Sequence, residues 1–452
     1  MLNITGSTYR TCDGVSRRSF LKAGVLALGG LTLADHLRLK AKALTPNPSP
    51  KGRGEAGGEP TRDTAVILLW MGGGPSHIDM YDLKPNAPVE FRGEFQETAT
   101  NVNGIRISEH LPMQARMMDK MSIVRSVTHT NPGHGMGSHW MLTGYVPTIE
   151  INDNLNPCAG SVVARMRGSN QPRVPSYVCV PNVPGHSGAA YLGAAYNAFA
   201  PGSDPASADF NVRDLRLAPN IDLTRFRNRR ELLQGVDNLR RDVDREGTLE
   251  GYDRFYRDAF EIVTSTQCRD AFDIRREDPR IRDKYGRDTW GQSALLARRL
   301  VEAGVTYVTV NVGGWDSHNN NFNELKNRLL PRYDRALSAL VEDLSERGMD
   351  RKVLVLAYGE FGRTPRVNTT SGRDHWPGAA SVVFAGGGLR MGQVIGSTDA
   401  RAEYPATRPA SPQDVLATMY NLLGINYRHE FMDAGQRPIP ILNEGRPIQE
   451  LF

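Results

Sequence analysis

The sequence predicts an α/β fold with a mostly parallel central sheet and helices on both faces of that sheet. Six continuous apolar runs have the length of buried strands, at 65–71, 121–127, 174–180, 305–312, 353–358 and 380–385. Helical spacing of apolar residues is clearest at 293–303, 329–344 and 411–423. The last of these segments begins with Ser411-Pro412 and ends before Gly424, as helices commonly do. Strands that alternate with helices are typical of parallel sheets.

The first 43 residues have the features of a twin-arginine signal peptide. Residues 17–22 read RRSFLK, an uncharged apolar run follows over 23–33, and a small-residue site lies at 41–43. The apolar run is 11 residues long. A membrane-spanning helix needs about 20 residues, so we expect a cleaved signal and no permanent membrane span. The protein is then exported by the twin-arginine translocon to the periplasm or the extracellular space.

The positive charge of the chain resides in this N-terminal segment. The whole chain has 55 Lys/Arg and 50 Asp/Glu, of which residues 1–43 hold seven and two. Subtraction leaves 48 of each sign, so the remainder of the chain has no net charge. No Lys/Arg-rich stripe interleaved with aromatic residues is present. Nucleic acid is therefore not an expected partner.

Composition divides the rest of the chain into a linker and one large domain. Residues 44–62 are rich in Pro, Gly and charge, which indicates a disordered linker. The folded domain is expected over 63–452, with a helical insertion at 205–285, where Arg and Asp are frequent and long apolar runs are missing. The domain contains three cysteines, too few for a disulfide framework.

Histidines and carboxylates cluster in the loops next to the predicted strands. In open α/β sheets, ligands bind at the carboxyl ends of the strands. Six of the nine histidines beyond residue 43 fall in such loops. The polar residues of these loops are His77, Asp79, Asp82, His129, His134, His139, Asp316, His318, Glu360, Arg363, Arg373, Asp374 and His375.

This combination predicts a metal site. Mixed imidazole and carboxylate ligands suit Zn, Mn or Fe, whereas a purely oxygen-lined site suits Mg or Ca. Two neighbouring metals could hold the oxygens of an ester during displacement. Taken singly, each residue is equally compatible with a hydrogen-bonded loop residue, a helix cap or an ion pair, so the prediction depends on the repetition at several strand ends.

Several segments resemble domain-of-unknown-function family 1501. They are the signal, GGPSHIDMYDLKP, GGWDSHNNNF, GEFGRTP, GRDHWPGAASVVFAGGG and SPQDVLATMYNLLGI. The family consists of exported proteins and belongs to the alkaline-phosphatase-like superfamily. That superfamily also contains sulfatases, phosphodiesterases and cofactor-independent phosphoglycerate mutases. The resemblance extends from about residue 63 to the C-terminus. The resemblance implies an alkaline-phosphatase-like sandwich fold. It also implies an enzyme that hydrolyses phosphate or sulfate esters.

The resemblance also implies roles for particular residues. Asp316, His318 and His375 are the expected ligands of one divalent metal (Zn, Mn or Ca), and Asp79 and Glu360 would help to bind a second ion. Superfamily enzymes carry a nucleophile at the start of a helix that ends in Leu-Thr-Gly. Here that tripeptide is 142–144, and the position ten residues before Gly144 is His134 rather than Cys, Ser or Thr.

His134 is therefore expected to act on the substrate as a nucleophile, metal ligand or general acid/base. His139 and Arg363 are expected to stabilise its negative charge. The first hypothesis is a metal-dependent hydrolase of a small-molecule or polysaccharide ester. Because the usual nucleophile is replaced, the alternative is a non-catalytic relative that binds an anionic glycan or a partner protein. No G-x-G-x-x-G follows the first strand and no CxxC occurs, so a redox function is disfavoured.

Overall fold

A computed structural model of the protein describes residues 63–149, 153–212, 262 and 264–452. The predicted signal peptide (1–43), the linker (44–62) and most of the predicted insertion (205–285) lie outside the described residues. The described residues all belong to one compact unit, formed by 57–219 and 259–452. Of the helices that are described, none combines the length and apolar composition needed to cross a membrane.

Seven strands form the central sheet. They are β1 (Ala65–Trp70), β2 (Met121–Val127), β3 (Tyr177–Val180), β4 (Tyr307–Asn311), β5 (Val353–Tyr358), β6 (Ala380–Gly386) and β7 (Gln393–Ile395). Their order is β7-β2-β6-β5-β1-β4-β3. Four of the six pairings are parallel, and only β6 runs against its neighbours β2 and β5. All six predicted strands are present, and β7 is an additional short one.

Helices cover both faces of the sheet. The longest are α1 (His134–Thr143), α2 (Ala159–Arg167), α3 (Thr289–Glu302), α4 (Leu330–Glu346) and α5 (Pro412–Leu422). Alternate residues of β1 belong to two hydrophobic cores: one contains α3 and α4, and the other contains α1, α2 and α5. Burial on both faces explains why β1 is apolar at every position. The predicted α/β class with a mostly parallel, doubly covered sheet is confirmed.

The remaining described elements are short. Four two-stranded ribbons pair Glu97–Ala99 with Arg106–Ser108, Gly362–Arg363 with His375–Trp376, Ser397–Thr398 with Pro405–Thr407, and Glu430–Met432 with Pro438–Pro440. Short helical segments are His77–Met80, Val89–Arg92, Pro112–Ala115, Met118–Lys120, Ala190–Leu192, Ala194–Tyr196, Thr266–Phe272, Ile274–Arg276, Pro279–Tyr285, Asn321–Glu324, Leu325–Leu329 and Gln449–Leu451.

The strand directions bring five chain segments to one edge of the sheet. Strands β1, β2, β4 and β5 run in the same direction, so their carboxyl ends share an edge, called here the carboxyl edge. Because β6 runs the opposite way, its amino end lies at this same edge. The segment that precedes Ala380 therefore meets the loops that follow Trp70, Val127, Asn311 and Tyr358. This reversal is what places His375, which comes before its strand, beside residues that come after theirs.

Candidate metal centre

Asp316 lies at the centre of a group of histidines on the carboxyl edge. Its Oδ2 atom is 3.3 Å from Nε2 of His134, and its Oδ1 atom is 3.0 Å from Nε2 of His318 and 3.2 Å from Nε2 of His375. The Nε2 atoms of His318 and His375 are 2.9 Å apart. These four residues, called here the Asp316 cluster, come from the start of α1, the loop after β4 and the segment before β6.

In each of the three histidines, the other ring nitrogen faces a hydrogen-bond acceptor. The acceptors of Nδ1 are Glu360 Oε1 at 2.5 Å for His134, Asp374 Oδ1 at 2.6 Å for His318, and the Pro132 carbonyl oxygen at 2.8 Å for His375. A carbonyl oxygen or an ionised carboxylate only accepts, so each neutral ring places its proton on Nδ1. The Nε2 lone pairs of all three rings then face the Asp316 carboxylate, and those of His318 and His375 also face each other.

This donor set fits a divalent metal ion. Ligand atoms bound to one transition-metal ion at about 2.0–2.2 Å lie roughly 2.8–3.6 Å from one another. The contacts of Asp316 with the three histidines, and that between His318 and His375, are 2.9–3.3 Å long. His134, Asp316 and His375 each offer a ligand atom within 4.8 Å of the other two. Converging lone pairs repel each other unless a cation lies among them. The four side chains are 22–47% exposed, so a ligand from solvent can reach them.

The loop after β1 supports this arrangement through its backbone. Gly73 has a φ of 113°, and a Cβ atom there would lie 2.6 Å from the Asp316 backbone nitrogen, so only glycine suits the position. The Gly73 N–H donates to both carboxylate oxygens of Glu360, at 2.8 and 3.1 Å. Glu360 is buried and thereby fixed in the orientation in which it contacts His134.

Arg363 provides the positive charge beside Asp316. Its buried guanidinium donates to Asp316 Oδ1 at 2.6 Å, to the carbonyls of Gly74 at 2.8 Å and Arg373 at 3.0 Å, and to the carbonyl of Gly73. Burial opposes ionisation of Asp316, but the hydrogen bond and charge of Arg363 hold its pKa at about 2. Because its donors are directed at protein atoms, Arg363 stabilises Asp316 here rather than the charge of a substrate.

The environment changes the pKa of two cluster histidines in opposite directions. The hydrogen bond to Glu360 raises the pKa of His134, and the charges of Glu360 and Asp316 add to this effect while burial opposes it. Burial lowers the pKa of His375, and the nearby His134 lowers it further. A proton is therefore retained more strongly on the His134 ring than on the His375 ring.

The structure places Asp79 apart from the Asp316 cluster. Arg373 donates to both of its carboxylate oxygens, at 2.8 and 2.9 Å, and Ser76 and Asn321 donate to Oδ2 at 2.6 and 2.9 Å. All four hydrogen bonds are buried. Asp79 thus anchors Arg373, which precedes Asp374 and His375 in the chain, instead of facing a second metal as the sequence suggested.

His139 is also occupied by structural hydrogen bonds. Its Nδ1 atom is 2.8 Å from the Tyr145 carbonyl oxygen, and its Nε2 atom accepts from the backbone N–H groups of Leu155 and Asn156 at 3.2 and 3.3 Å. The ring is fully buried, and burial lowers its pKa. His139 therefore ties the loop after α1 to the helix, and nothing in its contacts supports the predicted role in stabilising a substrate.

Glu360 has a different place from the predicted one. Its oxygens contact Gly73 and the Nδ1 atom of His134, so Glu360 orients the His134 ring from behind and is not among the atoms that face Asp316. Asp374 orients His318 in the same way, a role that sequence reasoning missed. The available signal was the adjacency of Asp374 to His375 in the GRDHWPG segment.

Residues 63–452 match the family described as "Protein of unknown function (DUF1501)". The chain belongs to this family. The resemblance noted in the sequence is thereby confirmed. A search of curated proteins finds none that matches this DUF1501 protein.

Three distantly similar solved structures share 10–12% sequence identity with this DUF1501 protein. The PsFucS1 sulfatase from Pseudoalteromonas sp. has 12% identity and a TM-score of 0.34, with 80% of this chain and 68% of that chain covered. The structure of Ps i-CgsB in complex with k-i-k-neocarrahexaose has 11% identity and a TM-score of 0.35, covering 80% and 72%. The lipoteichoic acid synthase LtaP from Listeria monocytogenes has 10% identity and a TM-score of 0.31, covering 81% and 73%.

Proposed function

We propose that this DUF1501 protein is an exported, metal-dependent hydrolase of phosphate or sulfate esters. The observation that carries the proposal is the convergence of three Nε2 atoms and the Asp316 carboxylate at the carboxyl edge, where α/β sheets bind their ligands. A divalent ion held by His134, Asp316, His318 and His375 would polarise an ester oxygen and acidify a water molecule. The donor set and its partial exposure both support this use.

The protein's own groups prepare the site for an anionic ester. Asp316 is kept ionised by Arg363, so its carboxylate remains a metal ligand over the physiological pH range. Helix α1 begins at His134, and its N-cap, Gly133, provides no side chain to satisfy the first-turn amides. Free amides at a helix N-terminus attract anions, so the phosphate or sulfate group of an ester can bind there. The rest of the ester is a small molecule or a polysaccharide.

In the proposed reaction water is the nucleophile, because the contacts of His134 leave its ring occupied. Its Nδ1 atom is bonded to Glu360 and its Nε2 atom faces Asp316, so neither nitrogen is directed at a substrate. In the proposed reaction, the oxygen of water bonds to phosphorus or sulfur while the ester bond to the alcohol oxygen breaks. One proton of the water leaves with the alcohol. No covalent intermediate on the protein is required.

The same engagement of His134 favours a second candidate function. A protein whose helix start has no free nucleophile can hold an anionic glycan, or an anionic partner protein, at the metal without cleaving it. The Asp316 cluster would then serve as a binding site for the sulfate or phosphate group. The two candidates predict the same metal content and differ only in turnover.

Hydrolysis assays on purified protein of known metal content separate the two candidates. Aryl phosphates and aryl sulfates are incubated with the wild type, with Asp316→Ala and with His429→Ala, a variant of an exposed histidine outside the cluster. The hydrolase predicts turnover of one ester class by the wild type and the His429 control, and a loss in Asp316→Ala. Metal-loaded, folded protein that hydrolyses neither class would contradict the hydrolase and support the binding function.

A further inference from the structure

We infer that the Asp316 cluster binds a single first-row transition-metal ion through His134, His318, His375 and Asp316, and that it excludes Ca²⁺ and Mg²⁺. This inference rests on the metal centre of the proposed function and specifies its cofactor. It assigns His134 to the metal rather than to the substrate. It also assigns Glu360 and Asp374 the task of orienting histidine ligands.

The chemistry of the donors selects the class of metal. Three of the four converging groups are imidazole nitrogens and only one is a carboxylate. Ca²⁺ takes 6–8 oxygen ligands, typically at about 2.3–2.6 Å, and Mg²⁺ also prefers oxygen and retains water. Imidazole with carboxylate suits Zn²⁺, Mn²⁺, Fe²⁺ or Co²⁺. The contacts of 2.9–3.3 Å fit bonds of about 2.0–2.2 Å to such an ion, and it is the nitrogen content of the donor set that disfavours Ca²⁺ and Mg²⁺.

The acceptors behind the histidines give independent support for this choice. Metal-binding histidines commonly donate their second ring N–H to a carboxylate or a backbone carbonyl, which fixes the tautomer and the ring orientation. All three histidines of the cluster show this pattern, with Glu360, Asp374 and the Pro132 carbonyl as acceptors. All three Nε2 atoms lie within 3.3 Å of an Asp316 carboxylate oxygen while every Nδ1 atom has its own acceptor.

The surroundings of the cluster limit it to one ion. The carboxylates that the sequence suggested for a second ion are committed elsewhere: Glu360 to Gly73 and His134, and Asp79 to Arg373. The buried guanidinium of Arg363 lies 2.6 Å from Asp316 Oδ1. A second cation bridging through this oxygen would meet that fixed positive charge at close range. Asp316 Oδ1 already has the Arg363 guanidinium and the Nε2 atoms of His318 and His375 within 3.2 Å, so an additional cation bridging through this oxygen would be crowded as well as repelled.

Titration of the chelator-treated full chain with Co²⁺ tests the metal class and the stoichiometry. Co²⁺ is a spectroscopic substitute whose visible absorption reports nitrogen and oxygen ligation. We expect saturation at one Co²⁺ per chain, displacement by Zn²⁺, and no displacement by a large excess of Ca²⁺ or Mg²⁺. Saturation at two ions per chain, or displacement by Ca²⁺, would overturn the inference.

Matched variants test the assigned residues. Glu360→Gln keeps the shape of the side chain and is expected to weaken Co²⁺ affinity about 10- to 100-fold, the usual effect of changing a residue that orients a ligand. His134→Ala is expected to lose more affinity and to change the Co²⁺ spectrum, and His429→Ala to change neither. Circular dichroism verifies that each variant is folded. Unchanged affinity in folded His134→Ala and Glu360→Gln would contradict the assignment.

The outcome also separates this inference from the proposed function. One tightly bound Co²⁺ in a protein that hydrolyses no ester supports the metal assignment and contradicts the hydrolase. Ester hydrolysis that requires Ca²⁺ supports the hydrolase and contradicts the metal assignment.

Discussion

Glu360 Oε1 and His134 Nδ1 lie 2.5 Å apart, and this contact directs the Nε2 atom of His134 toward Asp316. The two residues are 226 positions apart in the chain, one at the start of α1 and the other just after β5. Their meeting depends on β2 and β5 ending at the same edge of the sheet. The contact orients His134, which occupies the expected position of a nucleophile, toward the Asp316 cluster. The predictions below test the proposal that His134 binds a metal there.

Replacing Arg363 is expected to destabilise the protein as well as the metal site. Arg363→Met removes a buried charge and leaves the Asp316 carboxylate and several carbonyl oxygens without their donor, at a cost of about 3 kcal/mol or more in the free energy of unfolding. Urea denaturation measures this change. Arg287→Met removes an exposed ion pair with Asp283 and should cost less than about 1 kcal/mol. Equal costs in the two variants would contradict a special role for Arg363.

Asp79 is expected to contribute to folding and not to metal binding. Asp79→Asn leaves Arg373 buried without its counter-charge, which should lower the free energy of unfolding by about 3–5 kcal/mol. The metal content of the fraction that remains folded at low temperature should equal that of the wild type. Elemental analysis after size-exclusion chromatography measures it. A folded variant that has lost its metal would show that Asp79 belongs to the metal site after all.

Asp334 predicts a dependence of stability on pH. It is buried and accepts from the backbone N–H groups of Met113 and Gln114 at 2.9 Å each. Burial outweighs these hydrogen bonds and raises its pKa to about 6, above the value of about 3.9 in an unfolded chain. The folded state therefore binds the proton more tightly. Protonated Asp334 contributes fully to the free energy of unfolding below about pH 4, and this contribution is lost as the pH rises through about 6.

Urea unfolding of the wild type and Asp334→Asn at several pH values tests this sign. The neutral amide cannot ionise, so the stability of the wild type relative to the variant should fall between about pH 4 and pH 6 by an amount on the order of 2–3 kcal/mol. Above that interval the difference should be constant. A difference that stays the same from pH 4 to pH 7 would contradict the raised pKa.

Export by the twin-arginine pathway is a prediction from residues 17–22, which lie outside the described structure. Replacing Arg17 and Arg18 together by lysine keeps the charge and removes the paired arginines that identify the signal. We expect the double variant to stay in the cytoplasm and the control Arg10→Lys to be exported. Cell fractionation followed by immunoblotting measures both. Normal export of the double variant would contradict the twin-arginine assignment.

The fold was predictable because burial of its strands leaves a pattern within short stretches of the sequence. Strands such as β1 and β5 are buried on both faces, so the sequence shows continuous apolar runs there. The position of Asp316 and His318 at the carboxyl edge was predictable for a related reason, because parallel strands bring their following loops to one edge. Strand β7 has three residues, which is too short to leave a recognisable pattern.

The roles of individual site residues depend on contacts that no spacing records. A carboxylate near a strand end gives the same sequence pattern whichever partner it has. Glu360 orients a histidine, whereas Asp79 pairs with Arg373, 294 positions away. The sequence likewise does not distinguish the two histidines of α1, although the ring of His134 faces the cluster and that of His139 faces backbone groups. These distinctions are decided by which ring nitrogen or carboxylate oxygen faces which partner.

The metal content of the purified protein tests the central claim most directly. Elemental analysis should find one Zn, Mn, Fe or Co per chain in the wild type and in His429→Ala. In Asp316→Ala and His375→Ala the metal should be lost while circular dichroism shows a retained fold. A folded wild type without transition metal, or one that contains only calcium, would contradict the account and leave the Asp316 cluster as a hydrogen-bonded group of surface histidines.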